Sequence, residues 1–161
     1  VLTRGMASAA RWAGAERAGR AAADGTVASP PQHWGLAARG AAVEAGGPVF
    51  HFALHERDVV WCDDAGAMYR AAAAAQWDPA TAIPWQAERT HPPFVEDALV
   101  QVLTYLIENE TAALLVPAKF CAQVHPHFRE VMQLLAIQTA DEARHIEVFT
   151  RRALLARDQL G

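Results

Sequence analysis

Two long apolar-periodic stretches, one from Pro93 to about Gln123 and one from Phe128 to about Leu155, are separated only by the short break VHPHF at 124–128. Pro92-Pro93 followed by Glu96 and Asp97 is a helix start, with proline in the first turn and acids near the positive end of the helix dipole. Pro126 stands where a second helix would open. Helices of this length joined by so short a connection must fold back on each other, so the pattern predicts an all-α antiparallel hairpin over 93–161.

The phase of the two helices puts unusual residues on their inner faces. At about 100° per residue, Leu103, Ile107, Glu110 and Leu114 fall in one narrow arc, whereas Glu108 points about 160° away from Glu110 and should be solvated. On the second helix Val131, Leu135, Gln138, Glu142, His145 and Phe149 share a broad face, and Glu142 and His145 project inward from consecutive turns. Burying two carboxylates and an imidazole among aliphatic side chains costs several kcal/mol unless each is paired or ligated. A divalent metal is the partner that satisfies all three. Hard carboxylate oxygens with one borderline nitrogen suit iron or manganese better than a thiolate-built zinc site. The Glu-x-x-His spacing lets one helix offer both donors to a single ion, and the facing helix adds a carboxylate able to bridge. On a surface helix the same motif means nothing; its place on the apolar face is what gives it weight.

The run IENETAALLVPAKF followed, after a turn, by QTADEARHIEVF resembles the first half of a ferritin-like di-metal carboxylate domain. That fold is shared by rubrerythrins, ribonucleotide reductase small subunits and bacterial multicomponent monooxygenases. The resemblance covers about 93–157, and Asp-Glu-Ala-Arg-His at 141–145 is closer to the oxygenase branch than to the iron-storage branch. It implies Glu110 and Glu142 as carboxylate ligands, His145 as the imidazole ligand, and Asp141 with Arg144 as groups that orient ligands, against the plainer alternative of a surface ion pair. It also implies a four-helix bundle of which this hairpin is one half, two irons per complete site with manganese as the alternative, and a dioxygen-activating oxidoreductase.

A complete site of that family needs a second carboxylate helix and a second Glu-x-x-His helix, and Glu130 and His127 do not repeat the motif in the right order. The sequence therefore leaves two sources for the missing half: further sequence, which the start on Val1 and the end at Gly161 favour, or a second copy in a homo-oligomer, as in the two-helix encapsulated ferritins that the hairpin also resembles. An isolated hairpin would expose its ligand-bearing stripe and so call for a partner surface. Two alternatives to oxygenation remain at this stage. One is a ferroxidase or storage-type protein with its site shared across a dimer, and the other is a structural hairpin whose Glu-x-x-His is incidental.

The region 1–92 is expected to be irregular. SPPQ at 29–32 and EAGGP at 44–48 are loop signals, VFHFALHERDVVW at 49–61 reads as a strand or extended arm, and the Ala-dense run at 66–77 reads as a helix ended by Asp78-Pro79. Trp77 and Trp85 are placed to pin the proline-marked connection that follows. His51 with His55 reads as a satisfied or exposed pair, and His125 with His127 as cap and surface residues. Pro117 should kink or bulge the first long helix, and Cys121 should pack.

A net charge of -4 gives no basic surface for nucleic acid. Cys62 and Cys121 form no zinc or disulfide framework, which fits a reducing cytoplasm. No uninterrupted apolar run reaches the length of a membrane span, and the Ala- and Arg-rich segment 1–24 lacks a secretory core, so no membrane association is expected.

Overall fold

The computed structural model describes residues 25–26, 28–34, 49–87, 91–155 and 157–161. The segment 1–24 and the EAGGP stretch lie outside these described residues. Two compact units form, Val1–Gly66 with Cys121–Gln133, and Ala67–Phe120 with Leu134–Gly161. The second draws on both sides of the 92/93 boundary expected from composition.

The fold is mostly helical, but the all-α expectation needs one correction, in the first unit. Strands β1 (His33–Trp34) and β2 (Phe50–His51) pair antiparallel, with His33 opposite His51 and Trp34 opposite Phe50. The aromatic and β-branched run from Val49 onward suits an extended backbone, which a helix period could not capture. The chain then makes one helical turn, α1 (Arg57–Val60). Between the two, Leu54 forms a parallel bridge to Val124: its N–H donates to the Gln123 carbonyl at 3.0 Å, and the His125 N–H donates to the Leu54 carbonyl at 2.8 Å. Pro126 follows at the second position of a β-turn closed by the Phe128 N–H on the His125 carbonyl, a place that its fixed φ favours.

That turn is the core of the first unit. His125 and Phe128 are fully buried and His127 is 2% exposed, against rings of Trp34 and Phe52 at centroid distances of 4.9–5.2 Å. The reading of His125 and His127 as cap and surface residues is thereby overturned. A five-residue break has no periodicity to report burial, and the apolar rings that cover it come from sequence far away. His55 is satisfied by the Pro30 carbonyl at 3.0 Å, His51 is exposed, and Cys121 packs with Sγ against the Met132 carbonyl at 3.7 Å.

In the second unit α2 (Ala65–Ala74) precedes a one-turn helix α3 (Pro79–Ala82), whose Asp78 side chain accepts from the Ala80 N–H at 2.8 Å. Asp78-Pro79 thus opens a helix, with proline at a first-turn position that needs no donor. Trp85 is buried, donates from Nε1 to the Pro79 carbonyl at 2.7 Å and carries the Arg151 guanidinium 4.3 Å above its ring.

The two long helices are α4 (Pro93–Cys121) and α5 (Arg129–Leu154), and α4 continues through a buried Pro117. Their sense is antiparallel: Arg152 near the end of α5 binds Glu96 near the start of α4, and His145 approaches Glu110 further along. Threonines within them are satisfied locally, Thr104, Thr111 and Thr139 each donating to the carbonyl four residues earlier. As the phase predicts, Glu108 is exposed and Glu110 half-buried, whereas Gln138, expected on the inner face, is exposed.

Helix α4 is apolar on both sides. Phe94, Tyr105, Leu115 and Val116 remain exposed on the side away from Glu110, and Val102 and Phe120 on its flank. An 18-residue window of this helix has a mean hydropathy of 1.3, and only 11% of it is buried, so by length and composition α4 is able to cross a membrane. The absence of an uninterrupted apolar run is therefore no ground for expecting no span.

Candidate metal centre

The three donors named from helical phase converge. The three-residue step from Glu142 to His145 along α5 brings the imidazole Nδ1 to 3.0 Å from the Glu142 Oε2. The same nitrogen lies 3.4 Å from Oε2 of Glu110, which α4 supplies from the facing helix. One ligand atom from each residue lies within 4.8 Å of the others, and among the described residues no other group of three histidine, cysteine or acidic side chains meets that condition.

The cluster lies at the rim of the helix pair, not in a closed core. The side chains of Glu110 and Glu142 are 21% and 16% exposed, and that of His145 is 44% exposed. Desolvation of the carboxylates is thus substantial but incomplete. Burial, and then the neighbouring Glu110 carboxyl, raise the Glu142 carboxyl above its ordinary range, while the hydrogen bond to His145 pulls it back down.

Asp141 and Arg144 sit beside this cluster but turn elsewhere. Arg144 forms an ion pair with Asp141, donates to Oε1 of Gln76 and to the Trp77 carbonyl, and stacks over the Trp77 ring at 5.2 Å. Asp141 in turn accepts from Nε2 of Gln76 at 2.9 Å. These bonds clamp the segment after α2 onto α5. Neither Gln76 nor Trp77 stands out in the sequence as part of a site. The only signal is the density of alanine before them, since small side chains let two helices approach closely.

The donor set fits a divalent ion on its chemistry. Two ligand atoms bound at about 2.1 Å and at about right angles on one ion lie about 3.0 Å apart, close to the two separations from Nδ1. Two hard oxygens with one imidazole and no thiolate differ from the thiolate-rich donor sets of most structural zinc sites.

No protein-family model, curated protein or solved structure matches the chain.

Proposed function

We propose that this protein binds iron, or manganese in its place, through Glu110, Glu142 and His145, as part of a non-haem carboxylate centre that activates dioxygen. The observation that carries the proposal is the meeting of Nδ1 of His145 with carboxylate oxygens from two different helices, at 3.0 and 3.4 Å. The likeness of Glu-Thr-Ala-Ala at 110–113 and Asp-Glu-Ala-Arg-His at 141–145 to the ferritin-like di-metal proteins supports the same reading.

Each residue has a distinct task. His145 must present Nδ1 as a neutral lone pair, so loading the site expels whatever proton lies between that nitrogen and the carboxylates. Glu142 would bind the ion as a carboxylate, the form that burial and the neighbouring Glu110 disfavour while the site is empty. Glu110 crosses from the other helix and ties α4 to α5 once ligated. Bound iron supplies the one-electron chemistry that protein side chains lack. Three donors do not fill the coordination of such an ion, and a second copy of the chain, bringing the same triad, is one way to complete a two-ion centre.

Anaerobic titration of metal-free protein with Fe(II) and Mn(II), followed by calorimetry and elemental analysis, tests this directly. At least one ion per chain is expected, with affinity reduced by about tenfold or more in Glu110→Ala, Glu142→Gln and His145→Ala. Equal metal content in wild type and all three variants would place any bound ion elsewhere. Sedimentation with and without metal tests completion by a second copy, through dimer formation that depends on the ion and on His145. If loaded protein consumes dioxygen and retains a mineral core, storage replaces oxygenation as the function.

A further inference from the structure

A cleft of about 470 Å³ opens beside the candidate centre, within the size range of pockets that hold small organic ligands. One wall is the Ala-rich face of α2 with Met68 and Ala72, continued by Ala75; the other is α5 with Leu134 and Ile137. Its polar lining is Glu142 and His145 with Asp141, Arg144, Gln76 and Gln138. The apolar walls belong to residues that the metal cluster does not use, and α2 lies outside the stretch whose sequence suggested a metal site.

The charges around the cleft define its occupant. Arg144 is the one cationic side chain of fixed charge on its lining; its terminal nitrogens are taken up by Asp141, Gln76 and the Trp77 carbonyl, and its Nε is buried away from any ligand. Glu142 and Asp141 would repel an anionic headgroup, and the one side chain of fixed positive charge on the lining already has its terminal nitrogens engaged. Glu142 in turn already faces His145, so an ammonium group finds its natural partner engaged.

From this juxtaposition we infer that the cleft binds a neutral, largely apolar organic molecule, an aromatic or a medium-chain alcohol, with its one polar group toward Glu142 and His145. As the substrate pocket of a metal centre the assignment rests on the function proposed above; as a binding site it stands without the metal. Ala72 and Ala75 set the width, because a larger side chain at either position would project into the space between α2 and α5.

The test uses metal-free, full-length protein and the neutral fluorophore N-phenyl-1-naphthylamine. Saturable fluorescence enhancement is expected in wild type, reversed by 1-octanol at concentrations at least about tenfold below those needed for octanoate or octylammonium, since tenfold corresponds to about 1.4 kcal/mol of discrimination. Ala72→Phe should abolish the enhancement, and Ala75→Leu, at an exposed position that folding tolerates, should weaken it several-fold. Absence of enhancement in wild type, unchanged binding in both variants with native circular dichroism, or displacement by either charged ligand as strong as by octanol would overturn the assignment. The metal titration of the same variants separates the two claims. Variants that lose the fluorophore but keep metal affinity support the cleft as a site separate from the centre; wild type that binds metal but not the fluorophore overturns only the cleft, and wild type that binds the fluorophore but no metal overturns only the centre.

Discussion

Arg152 grips the carboxylate of Glu96 with both terminal nitrogens, at 3.0–3.1 Å, and so joins the end of α5 to the start of α4 across 56 residues of sequence. The Glu96 side chain is only 9% exposed, so the pair is a partly buried, bidentate one and not a loose surface contact. Truncating Arg152 to alanine should cost about 3 kcal/mol, because the carboxylate stays buried after its main cation is gone. Replacing both, as Glu96→Gln with Arg152→Met, should cost clearly less than Arg152→Ala alone. Urea denaturation of wild type and both variants measures this; equal losses in the two variants would mean that the stranded carboxylate is not what makes Arg152→Ala costly.

The metal cluster should be a stability liability when empty. Glu142 is pushed above its ordinary range by burial and by Glu110, so folding favours its protonated form. The folded state then holds more proton than the unfolded one as pH rises above the ordinary carboxylate value, and stability falls through that window. Glu142→Gln keeps the shape and removes the charge, so the metal-free variant should melt a few degrees above wild type near neutral pH and lose the advantage in acid. It should also gain nothing from added Fe(II) or Mn(II). A variant that melts lower than wild type at neutral pH would show that the ionised carboxylate is welcome there.

Arg144 offers a sharper test of what surrounds the site. Groups that orient metal ligands typically change affinity by about 10- to 100-fold when removed. The bonds of Arg144 run to Asp141, Gln76 and Trp77 instead, so Arg144→Ala should leave metal affinity within about threefold while loosening the segment after α2. Hydrogen exchange at Gln76 and Trp77 reads the loosening. A tenfold loss of metal affinity with unchanged exchange would return Arg144 to the ligand shell.

The helix pair and the convergence of its three donors were legible because a period of 3.6 residues carries phase as well as length. Glu110 and Glu108 differ by two positions and end in opposite environments, the first half-buried in the cluster and the second exposed. Other features had no local signature. His125 is buried by Trp34 and Phe52, far away in sequence, and the clamp on Arg144 comes from Gln76, separated from it by 68 residues. Such contacts follow from tertiary packing, which neither propensity nor periodicity encodes. Strand Phe50–His51 lies within the run read as a strand or extended arm, whereas its partner His33–Trp34 was too short for alternation to declare it.

The buried turn should make the first unit acid-sensitive. His125 accepts from the His127 N–H at Nδ1, 3.2 Å away, while its Nε2 is buried with no hydrogen-bond partner, so the neutral ring is the form that fits. Burial first, then the charges of His127 and His55, lower its pKa from 6.5 to about 4. Between those values the unfolded chain takes up a proton that the folded one refuses, so the stability contributed by this ring is complete above pH 6.5 and lost progressively as pH falls toward 4. The full loss is on the order of 3 kcal/mol. His125→Asn keeps an acceptor near the position of Nδ1 and cannot titrate; it should be less stable than wild type at pH 7 but show a much flatter dependence between pH 6.5 and 4. Denaturation midpoints measured for both proteins across that range decide it. Parallel curves would mean that His125 is not the group whose protonation destabilises the turn.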